Sequence, residues 1–313
     1  MSITGTCDLS NCYCTFRKAD YNHLGAQGQG IGPSASGLLS FVMSIFWLRI
    51  ALGFYGVGLL YALVAITRTS DLLNRVALHA SYLGMIFHFV SLTEGVLLTG
   101  HVTMAMVHNS ESLLAFLIMA VFMITYLLYK TTSPGIIVFP IVFLLTFMAA
   151  TRQQPFLIMS PGMRTSWLVA HISLIFTGYA ALVLSFCASL LYLVQQHSLK
   201  AKRSNGILSR LPALEDIDQI GYRSLLLGFP FMTLGLVAGS VVAESTYGRV
   251  DFQDPKILLS LLMWAVYLVM VYTRWIAGWR GRKAAVLASV AFAAAVVAWA
   301  ANYFSTIHRF ASS

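Results

Sequence analysis

The chain has 313 residues, of which 58% are hydrophobic and only 10% charged, with a mean hydropathy of +0.77. A soluble domain carries about 25% charged residues, so there are too few polar side chains here to cover a water-exposed surface. The formal net charge of +9 is spread over loops, which points to membrane orientation and gives no support to nucleic-acid binding.

Residues 1–36 are polar and rich in Gly and Ser and read as a mobile tail. They lack the charged and apolar regions of a signal peptide. Cys7, Cys12 and Cys14 lie in this tail without histidine partners at a metal-site spacing. Residues 37–310 are expected to form one transmembrane bundle. Residues 37–48 are apolar up to Arg49, which leaves open an interfacial helix or an extension of the first span. Uncharged segments then follow at 50–67, 76–93, 112–129, 131–151, 166–195, 224–243, 257–273 and 284–307.

A helix needs about 20 residues to cross a bilayer, and only helices and closed barrels satisfy the backbone within lipid. Alternating strands of about ten residues, the mark of a barrel, are absent. The expected fold is all-α, a polytopic membrane bundle of about eight transmembrane helices. Pro134, in the turn Lys130–Pro134, ends one helix and suits the first turn of the next. Cys187 sits in an apolar run and reads as a small packing residue. In the loop 196–223, Leu214, Ile217 and Ile220 are three apart, which predicts a short amphipathic helix lying on the bilayer.

Of the twenty Lys and Arg, twelve fall in one set of loops and seven in the other, with Arg49 at a boundary. The basic set, which includes Arg68, Lys130, Arg203, Arg223 and Arg280, is assigned to the cytoplasm. Both termini are then expected outside.

The histidines are the most informative polar residues. His79 and His88 lie within the second span, where an ionisable side chain is a functional candidate. At about 100° per residue they point to opposite sides of one helix, so at most one faces a given interior site. For His79 the favoured reading is a neutral imidazole hydrogen-bonded to a neighbouring helix. His171 near the outer start of the fifth span and His308 beyond the end of the eighth share one side of the membrane. They are either separate structural residues or two axial ligands of a haem iron. Zinc fits less well, since no cluster completes four ligands. His101 and His108 lie in the first outer loop, His197 among basic residues, and Glu94 late in the second span. No Ser-His-Asp triad, P-loop or His-Glu-x-x-His site is evident.

Three stretches resemble the cytochrome c assembly protein family, membrane haem-handling proteins that include the HemX-like branch. They are Leu211–Glu215 through Gly221-Tyr222-Arg223 and Gly228-Phe229-Pro230 to Thr233-Leu234-Gly235; Asp254-Pro255-Lys256; and Thr273-Arg274 with Gly278–Lys283, leading to His308. With matches around His88, Gly100 and Glu111-Ser112, the likeness covers most of residues 47–310. It implies two outer histidines that ligate haem iron, matched by His171 and His308, and a first membrane histidine matched by His88. It also implies a haem platform in an outer, tryptophan-rich loop that ends at Asp254-Pro255-Lys256. The chain departs from this pattern at Tyr272, where a second membrane histidine is expected, and at Val242, Tyr247, Asp251 and Gln253, where tryptophans are.

The resemblance implies a protein that binds or relays haem b, held non-covalently because no Cys-x-x-Cys-His attachment sequence is present. The alternatives are a structural or regulatory membrane subunit that has lost haem, and a subunit of a haem-attachment ligase. The degenerate platform argues that this chain is not a self-sufficient ligase. Implied partners are haem, membrane lipid, and apocytochrome c or another cytochrome assembly membrane protein. The implied location is a bacterial-type inner membrane. Reporter fusions at Ser204 and Gly248 are expected on the cytoplasmic and outer sides respectively, and finding both on one side refutes this topology.

Overall fold

Each apolar run becomes a helix, since a backbone in hydrocarbon must bond to itself. The computed structural model describes residues 35–68, 70–99, 110–151, 166–200, 213–248, 252 and 255–304. The chain divides into two units, Met1–Leu38 and Leu39–Ser313, and the packing below is that of the second. Among the described residues there are eight helices: α1 (Ala35–Thr67), α2 (Asp71–Thr99), α3 (Ser110–Tyr129), α4 (Gly135–Thr151), α5 (Ser166–Lys200), α6 (Leu214–Tyr247), α7 (Pro255–Trp275) and α8 (Arg282–Phe304). Six of them are long and apolar enough to cross a membrane, and α4 is a shorter apolar helix. The protein is a multi-pass membrane helix bundle.

Several boundaries differ from those read in the sequence. The apolar stretch ahead of Arg49 is continuous with the first span, and Arg49 lies exposed within α1. The fourth span starts at Gly135 and not at 131. Lys130 takes a left-handed φ of 53° and its N–H donates to the Tyr126 carbonyl, ending α3. The Pro134 carbonyl then accepts from Val138, which opens α4. The segment Leu214–Ile220 is no separate helix lying on the bilayer but the first two turns of α6. Its apolar face is buried in protein: Ile217 and Ile220 pack with Ala188 and Leu191 of α5, against Tyr129, Ile137 and Tyr192. At the other end α6 runs one turn past 243 and stops at Gly248, whose φ of 70° suits a glycine C-terminal cap.

Helix α5 is the most enclosed, with 67% of its span buried against 28–44% for the other five. It lies antiparallel to α6 along a seam of small residues. Gly221, Gly228 and Gly235 recur every seven residues on α6, a period that keeps one face toward a partner helix. A Cβ at Gly221 would lie 3.5 Å from that of Ala188, and one at Gly235 would lie 2.8 Å from the Ile175 side chain. On α5, a Cβ at Gly178 would come within 3.3 Å of the Met232 backbone nitrogen. Helices in lipid gain little from burying apolar surface, so close backbone approach supplies the packing energy. The seam also admits a third helix: the buried Tyr267 of α7 passes Gly228 and donates its hydroxyl to the Gly178 carbonyl at 3.3 Å.

At the basic end a polar knot ties α6, α7 and the α7–α8 turn. Arg274 forms a bidentate ion pair with Asp218, its Nη1 donating to Oδ1 at 2.9 Å and its Nη2 to Oδ2. Nη1 also donates to the Trp279 carbonyl at 3.1 Å. The guanidinium lies 4.9 Å from the Tyr222 ring centroid. The Gly281 N–H donates to Asp218 Oδ1 at 3.2 Å. Breaking a buried ion pair from one side costs about 3 kcal/mol or more, which makes this knot a strong local constraint.

Gly228→Ala is expected to lower the thermal midpoint of the detergent-purified protein, since its Cβ would meet the Tyr267 hydroxyl and lie 2.9 Å from Ala181 Cβ. Overpacking of this kind costs roughly 1–3 kcal/mol. Gly53→Ala, with nothing within 4 Å of its Cβ, is the control and should leave the midpoint unchanged or raise it. Equal midpoints for the two variants would remove the close-packed seam as a source of stability.

Candidate functional site

Only one of the two histidines of α2 faces the protein. His79 is exposed and its Nδ1–H donates to the Arg75 carbonyl of its own helix at 2.6 Å. The neighbouring-helix partner expected for it is therefore replaced by a local bond. His88 is fully buried. Its Nε2 is 2.8 Å from Ser112 Oγ of α3 and its Nδ1 is 3.3 Å from Tyr55 Oη of α1. Either tautomer completes this network, one nitrogen donating while the other accepts from a hydroxyl. Tyr55 and Phe116 meet the ring edge-on, at centroid distances of 5.8 and 5.7 Å. Both nitrogens are thus in use, and an iron at His88 requires Ser112 or Tyr55 to let go.

His171 is arranged differently. It lies half-buried in the second turn of α5, at the end of the small-residue seam opposite the basic end of the bundle. Its Nδ1–H donates to the Gly235 carbonyl of α6 at 2.7 Å. A Cβ at Gly239 would lie 2.6 Å from Cε1 and 2.7 Å from Nδ1, so the ring occupies the space that a missing side chain leaves. A carbonyl bond of this kind fixes the tautomer of an imidazole and leaves the lone pair on the other ring nitrogen. Among the described residues Nε2 has no hydrogen-bond partner. A neutral imidazole nitrogen with no bond to break is compatible in its chemistry with a haem-iron ligand.

The two histidines sit on either side of the start of α3. Ser112 bonds His88, and the adjoining Leu113 packs against the cluster of Leu168, Ile172 and Val242 that flanks His171. Tyr272 is not part of this group. It is 54% exposed on the outside of α7, three residues from the helix end. It lies about 5 Å along the axis from the basic end, whereas His88, 17 residues into α2 from that end, lies about 25 Å along. His101, His108, Asp254 and His308 lie outside the described residues. Val242, at a tryptophan position of the resembled pattern, is 9% exposed within the Leu168 cluster. Cys187 is fully buried in the apolar core. Among the described residues no three His, Cys, Asp or Glu side chains come together as a metal site.

Sequence reasoning placed Ser112 and Gly235 in the resembled stretches without a role, and it missed Tyr55 and Gly239. The seven-residue glycine spacing was a signal for Gly235; none marked Tyr55, one of 14 tyrosines.

Comparison with known proteins adds three observations. The model of the family described as cytochrome C assembly protein matches residues 107–308. That span holds His171 and ends on His308, while His88 lies outside it. The cytochrome c biogenesis protein CcsA of Trieres chinensis is 25% identical, over 82% of this chain and 88% of that protein. The CcsA of Pyropia yezoensis is 25% identical, over 85% and 90% respectively. The CcsA of Chlamydomonas reinhardtii is 31% identical over 49% of this chain, a match that spans 42% of that protein. No solved structure matches this chain.

Proposed function

The chain belongs to the cytochrome c assembly protein family, and from this premise we propose that it carries haem as cargo near the outer end of its bundle. It is a membrane component of cytochrome c maturation. The finer reading is that it binds haem b non-covalently and relays it to apocytochrome c or to another assembly membrane protein. The setting is a bacterial-type inner membrane with both chain termini outside. His171 is one axial ligand and His308 the second. The observation that carries this reading is the seating of His171 on Gly235 and Gly239, which fixes the ring through Nδ1 and leaves Nε2 without a hydrogen bond among the described residues. Bound haem would supply an iron that takes two imidazoles and becomes low-spin. His88 acts as an entry ligand only when Ser112 or Tyr55 swings aside, so its closed network supports a transient role.

The test is the visible spectrum of the purified full-length protein. A low-spin b-type spectrum is expected, and His171→Ala or His308→Ala should shift it to high spin or lose the haem. Gly239→Ala should weaken haem retention while leaving the ligand residue in place, because its Cβ displaces the ring. An unchanged spectrum in both histidine variants rules the pair out, and a protein free of haem favours the structural or regulatory subunit.

Attachment of haem to an apocytochrome is assigned elsewhere. In sequence, the stretch between α6 and α7 keeps Asp254-Pro255-Lys256 but has no tryptophan and offers Arg249, Asp251 and Gln253 instead, whereas a porphyrin face gains most from flat apolar contact. Leaving such groups unpaired against a buried porphyrin costs several kcal/mol. Expressed with a reporter apocytochrome in a host that lacks its own assembly machinery, the chain alone should give no covalent haem by peroxidase staining after denaturation. A stained reporter overturns that assignment and restores the ligase reading.

A further inference from the structure

The α7–α8 turn is built as a rigid reversal. Gly278 and Gly281 take φ of 65° and 61°, and the Trp279 N–H donates to the Thr273 carbonyl at 2.9 Å. Arg274 and Asp218 bind the same turn through the Trp279 carbonyl and the Gly281 N–H. What this clamped turn presents outward is both aromatic and basic. Trp275 is 73% exposed, Ile276 68% and Trp279 38%. Arg280, Arg282 and Lys283 are exposed beside them, with Lys283 Nζ 5.9 Å from the Trp279 ring centroid.

Asp218 is already neutralised by Arg274. Among the described residues neither Arg280 nor Arg282 has a carboxylate within ion-pair distance. Glu215 and Asp216, exposed on the first turn of α6, share this end of the bundle, but so do the exposed Lys130, Lys200 and Arg223. Exposed indoles favour the depth of lipid headgroups, and clustered Lys and Arg next to a membrane helix attract anionic lipid. Three cations held by a fixed turn beside two indoles match a phosphodiester headgroup of net negative charge, at the level where such headgroups lie.

We propose that the α7–α8 turn, Trp275–Lys283, is a binding site for the headgroup of an anionic phospholipid. The site is independent of haem handling and rests on none of its residues. The turn's internal bonds fix the backbone from which the three cations project, so the lipid orders side chains on binding but no loop.

The experiment uses the full-length protein in nanodiscs of mixed phosphatidylcholine and phosphatidylglycerol. Lipids that stay bound are counted by native mass spectrometry after the disc is released. The wild-type protein should retain phosphatidylglycerol over phosphatidylcholine. Each basic side chain at an anionic surface contributes about fivefold in affinity, so the R280Q/R282Q/K283Q variant should lose at least about tenfold of that preference. R280K/R282K should keep most of it. The R68Q/K130Q/K200Q variant removes the same charge from the same end of the bundle and should change the preference little. Equal losses in the two triple glutamine variants would mean a diffuse field and no site, and no loss in the first would overturn the proposal outright. Displacement of the retained lipid by added inorganic phosphate would assign the turn to a free anion and also overturn it.

Discussion

The seam between α5 and α6 is the constraint on which the rest of this bundle depends. In lipid the two helices gain no hydrophobic driving force from meeting, and they hold together because glycines let their backbones touch. A Cβ at Gly178 would press to 3.3 Å from the Met232 backbone nitrogen, and one at Gly235 would meet the Ile175 side chain at 2.8 Å. The missing side chain at Gly228 lets Tyr267 reach the Gly178 carbonyl, so the same gap that joins two helices fastens the third.

The position of His171 follows from that seam. Where the seam reaches the end opposite the basic loops, Gly235 and Gly239 leave a recess, and an imidazole fills it in place of the apolar side chain that packs one turn further in, at Ile175. A histidine ring pinned between two backbones has little freedom left, which is the condition for a ligand that must present one nitrogen in one direction. His88 lies across α3 in a contrasting state, with both nitrogens satisfied in a dry environment. The two imidazoles thus differ: His171 has a single bonded nitrogen among the described residues, and His88 frees one only by breaking a buried hydrogen bond, which costs about 1–3 kcal/mol.

The two ends of the bundle are built from different chemistry. One end relies on small residues and a half-buried imidazole, while the opposite, basic end relies on the Asp218–Arg274 knot and its hydrogen bonds to the α7–α8 turn. A charged knot is sustainable near a helix end, whereas a charge at the bilayer centre is expensive. It holds the start of α6 against the end of α7.

The sequence by itself determined the helical membrane bundle and most of its spans, because a bilayer demands long uncharged runs and self-bonded backbone, and both are visible in the order of residues. It also determined that His79 and His88 face opposite ways, since nine residues of α-helix make half a turn more than whole turns. Which of the two turned inward was decided by the packing of Tyr55 and Ser112 around His88. The three-residue spacing of Leu214, Ile217 and Ile220 correctly marked a helical face, yet the face covers α5 and not the bilayer. Periodicity records that a surface is apolar and cannot say whether lipid or protein lies against it. The heptad of Gly221, Gly228 and Gly235 was likewise legible as a pattern, while its partner was not. Only the tertiary structure set α5 into that groove, and only there did His171 acquire the carbonyl that fixes its ring, because a bond across 64 residues of chain exists in no local stretch of sequence.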